Sequence, residues 1–347
     1  MQKSVEDVER TVMSPVGQIL CAVLLAASGA LFSLGAMPAS IGMAFAVPLL
    51  VLLLLRAMPA LACVAAGAYA ALSFVTASFP AFLLALGVLL GGALLARGVR
   101  QGEDRASLCI SLSFSFLLFG AAAVGYTVYA SMTAEGKSEF LPYLSDRMDS
   151  LVSSATAEYN ALFERVGEMY ANMGQEVIMP SEAEIHTTMT RLFSLAPGWI
   201  ILIVFVFSLL LTYLTQLLSM LTDRTGGEPL YTENSRAFRL GVPLAVLYLA
   251  VVLVDFFWRD YTSIFSLTVM NAQTVLVPLF AFGGLSFLPK ILYGMRRAEN
   301  GRVAYLVWFI LFLLLCLLYV QYAMLFFGIV YAISIFKNAL RSRRENG

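Results

Sequence analysis

The chain has 347 residues, of which 60% are hydrophobic and 13% are charged, with 22 acidic residues balanced by 22 basic ones. An average soluble domain has about 25% charged residues, so this composition excludes a soluble globular protein and indicates an integral membrane protein. Lipid is therefore the expected partner, and no nucleic-acid partner is expected.

The inventory of reactive side chains is small. His186 is the only histidine, and the four cysteines lie far apart within apolar runs. This excludes a multi-histidine metal site and a Ser/His catalytic arrangement within the membrane. The sequence also lacks a Walker loop, a GxGxxG turn, a nucleophile elbow and an HExxH helix. We expect no enzyme activity, no cofactor and no metal.

Five apolar spans precede residue 131. Ser14-Pro15 predicts the start of the first one, because proline is favoured at the first helical position. The uncharged stretch between Arg56 and Arg97 is too long for one helix, so we divide it at Ser78-Phe79-Pro80. The predicted spans are residues 16–34, 38–55, 58–78, 80–97 and 108–130.

Residues 131–197 form a polar interruption with ten acidic and four basic residues, a net charge of −6. Apolar residues recur there every three or four positions from Leu141 to Met173, which predicts an amphipathic helix of about nine turns. Ser181 and Glu184 have the spacing of a capping box and predict a second, shorter helix. Ala196-Pro197-Gly198 is predicted to break the chain before the membrane. The apolar face of the second helix would comprise Ile185, Met189, Leu192 and Phe193.

Five further spans are predicted after the interruption. Three lie at residues 198–221, 238–257 and 264–289. The apolar stretch 303–336 would make a helix of about 50 Å against a hydrocarbon core of about 30 Å, so we divide it near Tyr319 to Tyr322. The prediction is thus an all-α polytopic bundle of ten spans, with domains at 1–130, 131–197 and 198–347.

The distribution of basic residues predicts the orientation. With both termini in the cytoplasm, 17 of the 22 Lys and Arg residues lie on the cytoplasmic side. Residues 131–197 are then extracytoplasmic. This orientation requires the last apolar stretch to cross the membrane twice.

Two groups of polar residues are candidates for a substrate-binding site. Asn271, Gln273 and Thr274 lie in the eighth span, just before Pro278, where a kink would free polar backbone. The alternative is a structural helix whose amides bond to neighbouring helices. The sixth span has polar residues on one face, which either line a cavity or bridge helices: Thr212, Thr215, Gln216 and Ser219.

Asp255 lies near the end of the seventh span, four residues before Arg259. A carboxylate within a membrane is a functional candidate. The alternative is an ion pair with Arg259 at the interface.

Several short motifs resemble the YybS-like family of uncharacterised bacterial multi-pass membrane proteins. They are Pro48-Leu49-Leu50 before Arg56, Gly87 to Gly92 before Arg97, Gly284-Leu285-Ser286 before a basic turn, and Gly328-Ile329 before Lys337 and Arg341. The resemblance implies a location in the bacterial inner membrane. It also implies N-terminal helices built like the substrate-binding S components of energy-coupling factor transporters.

These observations lead to three functional hypotheses. The first is a transporter-like substrate-binding component, which would bind a small molecule and take its energy from an ATPase module or another membrane protein. The second is a membrane scaffold that binds a partner through the acidic helices of residues 131–197. The third, an intramembrane enzyme, is disfavoured by the scarcity of catalytic side chains.

Overall fold

The computed structural model describes residues 13–34, 36–174, 180–223, 231–232, 235, 238–257, 263–285 and 320–345. These residues contain eleven α-helices and no β-strand. The helices are α1 (Pro15–Ala30), α2 (Ala36–Arg56), α3 (Pro59–Thr76), α4 (Phe79–Gln101), α5 (Arg105–Ala134), α6 (Phe140–Asn172), α7 (Glu182–Ser194), α8 (Ala196–Asp223), α9 (Val242–Phe257), α10 (Ile264–Leu285) and α11 (Val320–Glu345). The prediction of an all-helical polytopic protein is confirmed.

Seven of the described helices are long and apolar enough to cross a membrane, namely α2, α3, α4, α5, α8, α10 and α11. The shorter apolar helices α1 and α9, with 16 residues each, coincide with the first and seventh predicted spans. The predicted ninth span, residues 303–319, lies outside the described residues. The other nine predicted spans each correspond to a described helix.

Local sequence signals set the ends of the first helices. The hydroxyl of Ser14 accepts a hydrogen bond from the amide of Gly17 at 3.2 Å and caps α1. Proline occupies the first turn of α3 at Pro59 and of α4 at Pro80, which confirms the predicted division there. Gly102 ends α4 with φ at 69°, a left-handed conformation that favours glycine.

The first four helices pack closely, with α2 against α1, α3 and α4. Val47, Leu50 and Val51 of α2 are almost completely buried, so α2 is the central helix of this group. Small residues bring α4 and α5 together, since the hydroxyl of Ser115 donates to the carbonyl of Gly87 at 2.8 Å.

Helices α6 and α7 form the polar interruption. Val152, Ile185 and Met189 are buried where the two helices meet. Both hydrogen bonds of the predicted capping box between Ser181 and Glu184 are present.

The predicted break at Ala196-Pro197-Gly198 is wrong. These residues form the first turn of α8, and only Leu195 separates α8 from α7. Proline is compatible with a first helical turn because the amide groups there have no partner within the helix.

The described chain divides into two compact units. The first comprises Met1–Gly125, Ile201–Leu249 and Val277–Gly347, and the second comprises Tyr126–Ile200 and Ala250–Leu276. The organisation into domains 1–130, 131–197 and 198–347 stays a prediction.

Candidate functional site

In the first unit, the polar face of α8 is almost entirely buried. Three of its hydroxyls donate to carbonyls of their own helix: Thr212 to Ser208, Thr215 to Leu211 and Ser219 to Gln216, at 2.7 to 2.8 Å. The hydroxyl of Thr212 also receives a contact from the thiol of Cys109 on α5, at 3.6 Å. This face therefore packs against α5.

Gln216 holds a charged side chain. Arg105, the first residue of α5, donates from Nη2 to the side-chain oxygen of Gln216 and from Nη1 to the hydroxyl of Tyr213, the latter at 2.7 Å. The guanidinium carbon lies 4.1 Å from the centre of the Tyr213 ring, which is cation–π geometry. Arg105 is only 7% exposed.

The arginine site contains buried polar atoms without a partner among the described residues. They are Nε of Arg105 and the hydroxyl of Tyr231, a side chain that is 2% exposed. Burial raises the pKa of Tyr231, and the nearby positive charge of Arg105 partly opposes that rise. The two groups are therefore within electrostatic range of each other. We call Arg105, Tyr213, Gln216 and Tyr231 the arginine site.

A partly open cavity of about 380 Å³ lies between α8, α10 and α11 in the first unit. Every side chain around it is apolar, and none of the seven predicted substrate-binding residues is among them. The lining residues are Leu202, Phe205, Val206 and Leu209 of α8, Pro278, Leu279, Ala281 and Phe282 of α10, and Ala323, Met324 and Phe327 of α11.

Glycines allow the close approach of α10 and α11 beside this cavity. A Cβ at Gly284 would clash with the backbone carbonyl of Phe327, and one at Gly283 would clash with the ring of Tyr331. Tyr248 of α9 stacks on Phe280 at 4.4 Å between ring centres. These contacts fix α9, α10 and α11 relative to one another.

In the second unit, two of the three predicted polar residues of α10 bridge helices. The side chain of Asn271 accepts from the amide of Gly198 at 2.7 Å and donates to the carbonyl of Ser194 at 2.9 Å. Gln273 donates to the carboxylate of Asp255 at 3.0 Å. Thr274 donates to Met270 of its own helix at 2.9 Å, and α10 continues through Pro278.

The predicted ion pair between Asp255 and Arg259 cannot be followed, because Arg259 lies outside the described residues. A role in ligand binding stays a prediction for all seven residues.

Arg105 is the residue that sequence reasoning missed. It lies between the fourth and fifth predicted spans, where most arginines only fix the topology. A signal was present, since Glu103 and Asp104 precede Arg105 directly and mark a helix start rather than a loop. Its burial could not be read from that pattern.

No group of three or more metal-binding side chains occurs in the described parts of the chain. His186 lies on α7, away from any cysteine in the sequence.

Comparison with protein families matched residues 19–330 to the family described as "Predicted membrane protein (DUF2232)". Comparisons with curated proteins and with solved structures gave no match. The match covers most of the chain and is consistent with the YybS-like resemblance. The chain therefore belongs to the DUF2232 family of predicted membrane proteins.

Proposed function

We propose that the protein is a transporter-like component that binds a small apolar or amphipathic molecule within the membrane. The observation that supports this proposal is the cavity between α8, α10 and α11. Its volume of about 380 Å³ falls within the range of small-molecule sites, roughly 300–1,000 Å³.

Protein interiors are normally packed without large voids. In the core of the first unit, Tyr69, Leu53 and Leu95 are completely buried. An unoccupied cavity of this size lowers the stability of the folded protein, because each lining side chain loses van der Waals contacts. An apolar ligand would restore those contacts. Since the sequence has no Walker loop, another protein would supply any energy for transport.

Native mass spectrometry of the full-length protein in detergent tests the proposal. We expect a retained small molecule in the wild-type protein. Ala323→Phe, which fills the cavity with an aromatic ring, should remove it. Ala93→Phe is the matched control, because Ala93 is an exposed position on α4.

A molecule bound equally by both variants would lie elsewhere, and the cavity would not be its site. If the purified protein carries no molecule and binds no added apolar probe, the proposal is wrong.

A second candidate function, a membrane scaffold, is favoured by the surface of α6. This helix has 33 residues, whereas α7 has 13 and can cover only part of it. Apolar side chains of α6 remain exposed, with Leu141 74% exposed and Leu162 53% exposed. Because residues 131–197 carry a net charge of −6, we propose a basic amphipathic partner for this face.

Binding of a synthetic helix with lysine on one face and leucine on the other tests this scaffold function. The protein would be reconstituted in nanodiscs and the affinity measured by fluorescence anisotropy. Leu162→Ser with Met169→Ser should weaken binding at least about fivefold. Ser154→Ala, an exposed change on the same helix, should not. Equal affinities for all three proteins would exclude the scaffold interpretation, and a dimer by light scattering would indicate a second copy as the partner.

A further inference from the structure

The α8 residues of the arginine site and those of the apolar cavity lie on one face of α8. Four residues of α8 line the cavity, Leu202, Phe205, Val206 and Leu209. Tyr213 and Gln216, which bond to Arg105, follow at the same spacing of three or four residues and therefore lie on the same face. Tyr213 is one turn, about 6 Å, beyond Leu209.

Among the described residues, the positive charge of Arg105 has no counter-charge. No carboxylate lies within ion-pair distance of its guanidinium in the described parts of the chain. The two acids before it are engaged at the start of α5. The Asp104 carboxylate accepts from the amide of Ser107 at 3.1 Å, and the Glu103 carboxylate accepts from the Ser107 hydroxyl at 2.8 Å.

A buried charge without a counter-ion is unfavourable, because both desolvation and the missing hydrogen bonds cost free energy. A guanidinium has five N–H donors, and Arg105 uses one on each terminal nitrogen. Its Nε and the hydroxyl of Tyr231 are two further buried donors that need an acceptor. Tyr231 lies near the turn between α4 and α5. The hydroxyl of its neighbour Thr232 would be 3.8 Å from a Cβ at Gly102 in that turn. An anion in contact with both groups would satisfy these donors and neutralise the charge.

We propose that Arg105 and Tyr231 bind the anionic head group of an amphipathic ligand whose apolar body lies in the cavity. The head group belongs to the class of phosphate monoesters and related oxyanions, which arginine recognises with paired N–H donors. This inference depends on the proposed function, because it assigns a ligand class to the same cavity.

Photo-crosslinking in nanodiscs tests the inference with three probes. The first is dodecyl phosphate carrying a diazirine at the end of its chain, and the second is the uncharged dodecanol with the same diazirine. Inorganic phosphate is the third, added as a competitor. Mass spectrometry would locate the crosslinks, expected at Met324 and Phe327, and the probe concentration for half-maximal yield would be measured.

The wild-type protein should crosslink both chain probes at the cavity, dodecyl phosphate at the lower concentration. Arg105→Gln should raise the half-saturating concentration of dodecyl phosphate about tenfold or more, since a charged hydrogen bond is lost. The same change should leave dodecanol unaffected. Tyr231→Phe, which removes only a hydroxyl, should weaken dodecyl phosphate binding by a smaller factor.

Two further variants test whether the effect of Arg105→Gln comes from the lost head-group contact, and not from misfolding or from the loss of any positive charge. Arg105→Lys keeps the positive charge and should retain preference for dodecyl phosphate over dodecanol. Arg97→Gln removes an arginine from an exposed position on α4 and should change neither probe. Elution of each variant as a single species in size-exclusion chromatography would show that it is folded.

The outcomes distinguish the two proposals. If dodecyl phosphate binds Arg105→Gln as tightly as wild type, the head-group site is wrong and the cavity function stands. If inorganic phosphate inhibits crosslinking at a concentration as low as the half-saturating concentration of dodecyl phosphate, the site binds a free anion. The proposal of an amphipathic ligand would then be wrong. If neither chain probe crosslinks at the cavity, the proposed function fails as well.

Discussion

Polar side chains in the described spans divide into two kinds according to the partner they need. Thr212, Thr215 and Thr274 donate to carbonyls of their own helix, so they can be buried without a second helix. The amide side chains of Asn271 and Gln216 also carry an acceptor oxygen, which a helix carbonyl cannot satisfy. Each of these oxygens accepts from a group outside its own helix. The partners of such amides within apolar helices therefore show which helices are in contact.

Replacing Asn271 with alanine should reduce the stability of the protein. The change removes the acceptor of the Gly198 amide and the donor to the Ser194 carbonyl. We expect a loss of about 1–2 kcal/mol in the free energy of unfolding, measured by SDS titration in mixed micelles. Thr274→Ala, whose hydroxyl bonds only within α10, should cost less than about 0.5 kcal/mol.

A stable Asn271→Ala protein with altered ligand binding would instead support the predicted substrate-binding role of Asn271.

At the scale of single elements, local sequence was a reliable guide. The apolar periodicity from Leu141 to Met173 predicted α6 to within one residue at each end. The capping box predicted the start of α7, because Ser181 and Glu184 satisfy each other's amides without help from the rest of the protein. The break at Ala196-Pro197-Gly198 failed because proline is equally compatible with the first turn of a helix.

The capping box should make the start of α7 sensitive to acid. The amide and hydroxyl of Ser181 donate to the Glu184 carboxylate at 2.8 and 2.9 Å, and these bonds lower the pKa of Glu184 below its ordinary value of 4.5. A carboxyl whose pKa is lower in the folded state stabilises that state above the ordinary pKa. This stabilisation is then lost as the pH falls through the lowered value.

Carbon-13 NMR of labelled glutamate in the full-length protein in detergent would measure this pKa. Ser181→Ala should raise it, but not fully to 4.5, because the backbone amide at position 181 still donates. Ser194→Ala, at the other end of α7, should leave it unchanged. A Glu184 pKa that Ser181→Ala does not move would contradict the role of the cap.

At the scale of the whole molecule, membrane insertion follows from composition and helix length. Seven described helices are long and apolar enough to cross a bilayer. The orientation rests on the distribution of Lys and Arg, 17 of which lie on one side in the predicted topology.

Cysteine labelling tests that topology. In a protein with Cys21, Cys63, Cys109 and Cys316 replaced by serine or alanine, Glu158→Cys should react with a membrane-impermeant maleimide added outside intact spheroplasts. Arg344→Cys should react only after lysis. Glu184→Cys is the control for the first position, because both lie in residues 131–197 and should label alike. Labelling of Glu158→Cys and Arg344→Cys from the same side would overturn the ten-span topology.

The candidate site was only partly accessible to sequence reasoning. The polar face of α8 was recognised from its spacing, and Gln216 does take part in the arginine site. The apolar cavity could not be found, because its lining residues look like any other residues of apolar spans. Arg105 could not be singled out, because most arginines between apolar spans only fix the topology.

By itself, the sequence determined the membrane class, the helical content and the approximate positions of the described helices. These properties depend on composition and on signals that act within a few residues, such as apolar periodicity, proline and capping side chains. Only the tertiary structure decided that Arg105 is buried against Tyr213 and Gln216, which are 108 and 111 residues away in the chain. Burial of that charge, and the cavity between α8, α10 and α11, depend on which helices pack together, and short-range sequence patterns do not encode that choice.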